Sequence, residues 1–257
     1  MERLLFEVVE ELARHKVPAV FKGAVMLNHI LRLNRIYSPQ RGTIDIDLSW
    51  EADEDEGIIE NRLNYILGNL ELKGFSVECK RRFSSTSTAG FRVYLDGEFV
   101  FNFDVERYSN NSRPIKEYTS IYQTKRGVQF VGVSIYKICA DKVSVISTDK
   151  ILRRAKDILD IYSISQLKGI TLVPICNVIE YDEHLKNKKI IGNFNCLIQT
   201  DKVEQLEHAY SRLSRVKYKP PFRDVYRVAC EFCKPFINYY YKDTDMIWDN
   251  VKNRWMT

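Results

Sequence analysis

The segment Thr43-Ile44-Asp45-Ile46-Asp47-Leu48-Ser49-Trp50 alternates with the period of a strand, so Ile44, Ile46, Leu48 and Trp50 share one face. Asp45 and Asp47 share the other, about 7 Å apart along the backbone. Carboxylates are depleted in strands, and two on one face repel each other unless a cation or bases neutralise them. A hard divalent ion, held by a few carboxylates plus substrate phosphates, meets that need; an edge strand with a wet face is the alternative. Phe99-Val100-Phe101-Asn102-Phe103-Asp104-Val105-Glu106 repeats the logic, with Asp104 opposite the apolar odd positions and flanked by Asn102 and Glu106. A third carboxylate from a neighbouring strand is what two-metal phosphoryl transfer requires.

Upstream, Phe21-Lys22-Gly23-Ala24-Val25 reads as strand, glycine and helix start. Such a junction lets backbone N–H groups approach phosphate oxygens, although an ordinary tight turn has the same signature. Further on, a helical stripe of Ile135, Ile138, Cys139 and Ile146 contains Lys142. A lysine there must snorkel, pair with a carboxylate or reach into a site. Asp157 and Asp160 fall on the polar side of a later helix, where salt bridges to Arg153 and Arg154 are the default explanation.

These residues need elements to position them. Helical periodicity covers 3–14, the run 24–33 and 57–72; strands are expected at 17–21, 43–50, 75–83, 90–95, 98–106 and 128–134, with a hairpin turn at Asp96-Gly97. The polar stretch 109–127 reads as loop. Everything after Ile135 reads as helix, at 135–148, 150–167, 175–187, 202–215 and 223–241. The expectation is an α+β chain: a strand-bearing domain at 1–168 and a helical domain at 169–257.

A 257-residue chain with 45% hydrophobic and 28% charged residues has the composition of a globular protein with a proper core. The formal net charge of +5 permits phosphate or nucleic-acid partners without demanding them. No apolar run approaches the roughly 20 residues that span a bilayer, and no signal peptide opens the chain, so no membrane association and a cytoplasmic location are expected. The six cysteines are scattered, and Cys230 and Cys233 form one CxxC without a second ligand pair. Reduced core thiols account for them better than zinc or redox chemistry. Lys217-Tyr218-Lys219-Pro220-Pro221-Phe222-Arg223, with Tyr226, Arg227 and Tyr239–Tyr241 beyond, suits either an RNA surface or a solvated helix face over an aromatic core.

In order and spacing, these segments resemble the AbiEii/AbiGii toxin-like nucleotidyltransferases of the polymerase-beta-type superfamily. The resemblance rests on Lys22-Gly23-Ala24-Val25, Arg41-Gly42-Thr43-Ile44-Asp45-Ile46-Asp47, Asp104, Lys142 and Arg154-Ala155-Lys156-Asp157 through Asp160, and covers roughly 1–165. It implies a nucleotidyltransferase fold, a mixed sheet flanked by helices, followed by a helical bundle. It also implies transfer of a nucleoside monophosphate from an NTP to RNA such as tRNA, with Mg²⁺ or Mn²⁺. The protein would be the toxin of a toxin–antitoxin or phage-defence pair, with an antitoxin protein as partner.

On that basis Asp45, Asp47 and Asp104 are metal ligands, Asp104 also the base toward the acceptor hydroxyl, and Lys142 the triphosphate contact, expected in the same cleft as Asp45 and Asp47. Asp157 orients a lysine or nucleotide, and Lys22, Gly23, Ala24, Arg41, Thr43 and Asp160 complete the nucleotide site. Ala24 and Val25 replace the family's second glycine or serine and its threonine. The loss of a hydroxyl contact there makes a catalytically weak nucleotide- or RNA-binding module the alternative.

Overall fold

The computed structural model describes residues 2–68, 70, 74–107, 115–148, 150, 152, 155–238 and 245–257. Contacts gather the chain into two units: Met1–Leu27, Gly42–Pro114 and Thr119–Val133 in one, and Asn28–Arg41, Ile115–Tyr118 and Ser134–Thr257 in the other. This division differs from one at 168/169, because the helices at 135–146 and 156–164 group with the C-terminal ones.

The first unit is built on a seven-stranded mixed sheet. Its strands are β1 (Ala19–Lys22), β3 (Asp45–Trp50), β4 (Val77–Ser84), β5 (Thr88–Leu95), β6 (Glu98–Arg107), β7 (Thr119–Gln123) and β8 (Gln129–Val133), in the order β4-β5-β6-β3-β1-β8-β7. The β3/β6 and β1/β8 pairs are parallel and the rest antiparallel. Helices α1 (Glu2–Arg14) and α3 (Glu56–Gly68) belong to this unit, as does the start of α2 (Gly23–Leu33). The alternation in β3 is realised as expected: Ile46, Leu48 and Trp50 are buried, while Asp45, Asp47 and Ser49 are half-buried. Burying the apolar face fixes the register, since a one-residue slip would invert every side chain. The core adds Leu5, Val8, Val9 and Leu12 of α1, Ile59 and Leu63 of α3, and Phe91, Phe101 and Phe103 of the sheet.

One expectation fails here. The polar stretch 109–127 has the composition of a loop, yet β7 lies within it, paired residue for residue with β8. The strand is at the sheet edge and largely exposed, so its sequence carries no apolar alternation.

The second unit contains α4 (Ile135–Ile146), α5 (Lys156–Ile164), α6 (Leu172–Lys186), α7 (Asn195–Ile198), α8 (Thr200–Ser211) and α9 (Phe222–Asn238). Ser134 caps α4 by accepting from the Lys137 amide at 3.1 Å. It is not wholly helical after Ile135. β2 (Gln40–Arg41) pairs with β9 (Val216–Lys217), and β10 (Ile247–Asp249) with β11 (Arg254–Met256). Three-residue strands offer no periodicity to read. Side chains anchor the last pair: the Trp248 and Trp255 rings each pack at a tilt against Phe232, and Trp248 Nε1 donates to the Ser165 carbonyl at 2.8 Å. No helix among the described residues is long and apolar enough to cross a membrane.

Candidate active site

In the first unit, the parallel register of β3 and β6 sets Asp45 beside Asn102 and Asp47 beside Asp104. Residues in register point to the same side of a sheet, so the three aspartates share one face. β1 continues it, with Lys22 opposite Asp47; the Lys22 ammonium pairs with Glu106. Thr43 orders the entry to β3, its hydroxyl accepting from the Asp45 amide at 3.1 Å.

Gly23, at the junction of β1 and α2, has a left-handed φ of +68°. A Cβ built there would lie 2.7 Å from the Asp47 Cγ and closer still to Oδ2. Only glycine therefore combines this turn with this approach of Asp47. Ala24 and Val25 are buried, so what the first turn of α2 offers a ligand is its backbone N–H groups.

In the sequence Asn102 is only a flank of Asp104. In the structure its Nδ2 donates to Asp45 Oδ1 at 2.8 Å, while its own Oδ1 is buried with no hydrogen-bond partner among the described residues. The Asp104 carboxyl is pushed above its ordinary value by burial and then by Asp45, with Arg82 and Lys22 pulling the other way. The face thus gathers hard oxygen donors, one of them a buried amide oxygen, around clustered carboxylates whose charge Arg82 and Lys22 only partly offset at Asp104. That is the donor chemistry of Mg²⁺ or Mn²⁺, which a few carboxylates hold together with substrate phosphates. Among the described residues no group of three His, Cys, Asp or Glu side chains is arranged to hold a metal ion by itself.

The second unit holds the other sequence candidates in a buried ion network. Lys142 Nζ lies 2.5 Å from Asp157 Oδ1 and 2.8 Å from Asp160 Oδ2. Arg41 reaches Asp160 with both Nε (2.7 Å) and a terminal nitrogen (3.0 Å). Asp157 and Asp160 were expected on a polar helix side with Arg153 and Arg154 as partners. Both are buried rather than on a polar side, at 0% and 2% exposure; Lys142 of α4 pairs with both, and Arg41 with Asp160. Burial pushes the Asp160 carboxyl upward, but Arg41 and Lys142 outweigh it and hold the group below the ordinary value. Arg153, Arg154 and Tyr239–Tyr241 lie outside the described residues. No disulfide joins any of the six cysteines among the described residues, and on α9 Cys233 is buried and Cys230 half-buried. The basic–aromatic stretch is partly structural: Lys219 Nζ donates to the Ser211 carbonyl at 2.9 Å, and Phe222 stacks on Tyr226.

The family model described as "Nucleotidyl transferase AbiEii toxin, Type IV TA system" matches residues 3–210. Among solved structures, JHP933 from Helicobacter pylori aligns with a TM-score of 0.55 at 11% identity, over 95% of this chain and 93% of that one. MenT4, the nucleotidyltransferase toxin Rv2826c from Mycobacterium tuberculosis H37Rv, aligns with a TM-score of 0.51 at 14% identity, over 91% and 82%. At these identities the likeness is one of fold. No curated protein sequence matches the chain significantly.

Proposed function

The chain belongs to the AbiEii nucleotidyltransferase toxin family, and from that premise we propose that it transfers a nucleoside monophosphate from an NTP to an RNA acceptor, tRNA among the candidates. The observation that carries this reading is the shared face of Asp45, Asp47 and Asp104, set by the β3–β6 register. Asp45, Asp47 and Asp104 would hold Mg²⁺ or Mn²⁺, which when bound neutralises phosphate charge. The Gly23 turn brings the amide groups of α2 toward the triphosphate. Asp104 accepts the proton of the acceptor hydroxyl, a role suited to a carboxylate raised above its ordinary value. The hydroxyl oxygen then bonds to the α-phosphorus, the bond to the bridging oxygen breaks, and pyrophosphate leaves with that electron pair.

Thr43 orders the strand that bears Asp45, while Lys142, Asp157, Asp160 and Arg41 form the buried ion network of the second unit. We place the reaction in the cytoplasm, where NTP and RNA are abundant, and assign the chain the toxin role in a two-gene phage-defence pair whose antitoxin is a protein. The test is incubation with labelled NTPs, Mg²⁺ and total RNA. Label should enter RNA with the intact protein and not with Asp47→Ala; label that enters with that variant, or in EDTA, refutes the reading.

A further inference from the structure

Gly90 on β5 stands in register with both Asp104 on β6 and Phe83 on β4. A Cβ on Gly90 would lie 2.7 Å from Phe83 Cδ1 and Cζ, and closer to Cε1. The phenyl ring therefore fills the space that the missing side chain leaves, on the same sheet face as Asp104. Gly90 is buried beneath it, yet Phe83 itself stays 42% exposed, an aromatic surface open to a ligand. The neighbouring Arg82 is exposed, with its guanidinium carbon 5.6 Å from the Phe83 ring centroid. Its charge is also felt at the Asp104 carboxyl, where it opposes burial and Asp45.

The two sides of Asp104 in the sheet are chemically unlike. Toward β3 and β1 lie Asp47, Gly23 and the amide groups of α2, a place for phosphates. Toward β5 and β4 lie a partly exposed ring and the guanidinium beside it, which suit an unstacked base and the phosphate attached to it. An acceptor whose hydroxyl gives its proton to Asp104 must approach from a side that the triphosphate does not occupy.

We propose that Phe83 and Arg82 form the subsite for the terminal nucleotide of a single-stranded RNA acceptor: the ring stacks its base, the guanidinium pairs with its phosphate, and its ribose hydroxyl lies by Asp104. This rests on the nucleotidyl-transfer reading for the role of Asp104, but its main test needs no turnover. Anisotropy of a 5′-fluorescein-labelled, unstructured RNA with a free 3′ end is measured in EDTA, without NTP. Phe83→Ala should weaken binding about tenfold, within the range of one lost base–aromatic stack, and Phe83→Trp should restore it. Arg82→Ala should weaken binding and lower the salt dependence by about 0.7 in log–log slope, the share of one single-strand phosphate. In the transfer assay, Phe83→Ala should raise KM for RNA while KM for NTP stays within about twofold.

An unchanged RNA affinity in Phe83→Ala, with its thermal unfolding unaltered, overturns the subsite. So does a shift confined to KM for NTP, which would give the ring to the incoming nucleotide, and so does label entering protein instead of RNA. RNA that binds through Phe83 with no transfer to any acceptor leaves the subsite standing and refutes the transferase reading.

Discussion

The Cα of Gly23 rests against the carboxylate of Asp47, so that a Cβ on the glycine would sit 2.7 Å from Cγ. Backbone turn and acidic strand are thereby one construction. Gly23→Ala must move Asp47 and also force a side chain into a φ of +68°. Loss of transfer by about 100-fold or more is expected, as for a misplaced catalytic group, with a stability cost of about 1–2 kcal/mol from the left-handed backbone. Transfer kinetics and urea unfolding of the same preparation check both parts; near-native kcat would contradict the placement of Asp47.

Asn102 holds Asp45 through a 2.8 Å hydrogen bond from Nδ2. Asn102→Ala should therefore raise the Mg²⁺ concentration for half-maximal transfer about tenfold or more, the usual effect of removing a group that orients a ligand. The check is a Mg²⁺ titration at saturating NTP. An unchanged midpoint would mean that Asp45 needs no help to stay in place.

Lys142 sits between two carboxylates that are 0% and 2% exposed. Its removal leaves Asp157 buried without its ammonium, and Lys142→Met should cost about 3–5 kcal/mol in urea unfolding at pH 7. Adding Asp157→Asn should recover part of that loss. A more stable Lys142→Met protein would show that desolvation of the network outweighs its pairing.

The same network gives a pH dependence. Arg41 and Lys142 overcome the effect of burial and hold Asp160 below its ordinary 3.8. On acidification the unfolded chain takes up the proton first. The contribution to stability is therefore full above about pH 4 and is lost as pH falls through the lower folded-state value. The urea midpoint should drop in that window. Asp160→Asn, weaker at pH 7, should drop less across it, and parallel profiles would contradict the assignment.

Much of the acidic sheet was legible because a half-buried strand writes its geometry as alternation. Asp45, Asp47 and Asp104 could be assigned to one side of their strands from the apolar residues between them. Their adjacency could not, because the β3–β6 register is a long-range pairing, and neither could the approach of Gly23 to Asp47. β7 was missed since an exposed edge strand needs no apolar face. The burial of Asp157 and Asp160 was hidden for a different reason. Helical spacing counts a carboxylate as polar, and nothing local reveals that Arg41 will neutralise one of them from 119 residues away. The short hairpin that bears Trp248 and Trp255 likewise packs against Phe232, a residue of another element.

Both units are discontinuous, and this orders their assembly in time. During synthesis every strand of the seven-stranded sheet, β8 included, is made before the first residue of α4. The face bearing Asp45, Asp47 and Asp104 is available to the growing chain while Lys142, Asp157 and Asp160 do not yet exist. Segment 28–41 has by then long left the ribosome, yet it belongs with helices still to be translated. The guanidinium of Arg41 must wait in water for a carboxylate that arrives much later, so the second unit closes by recruiting an early segment to a late one.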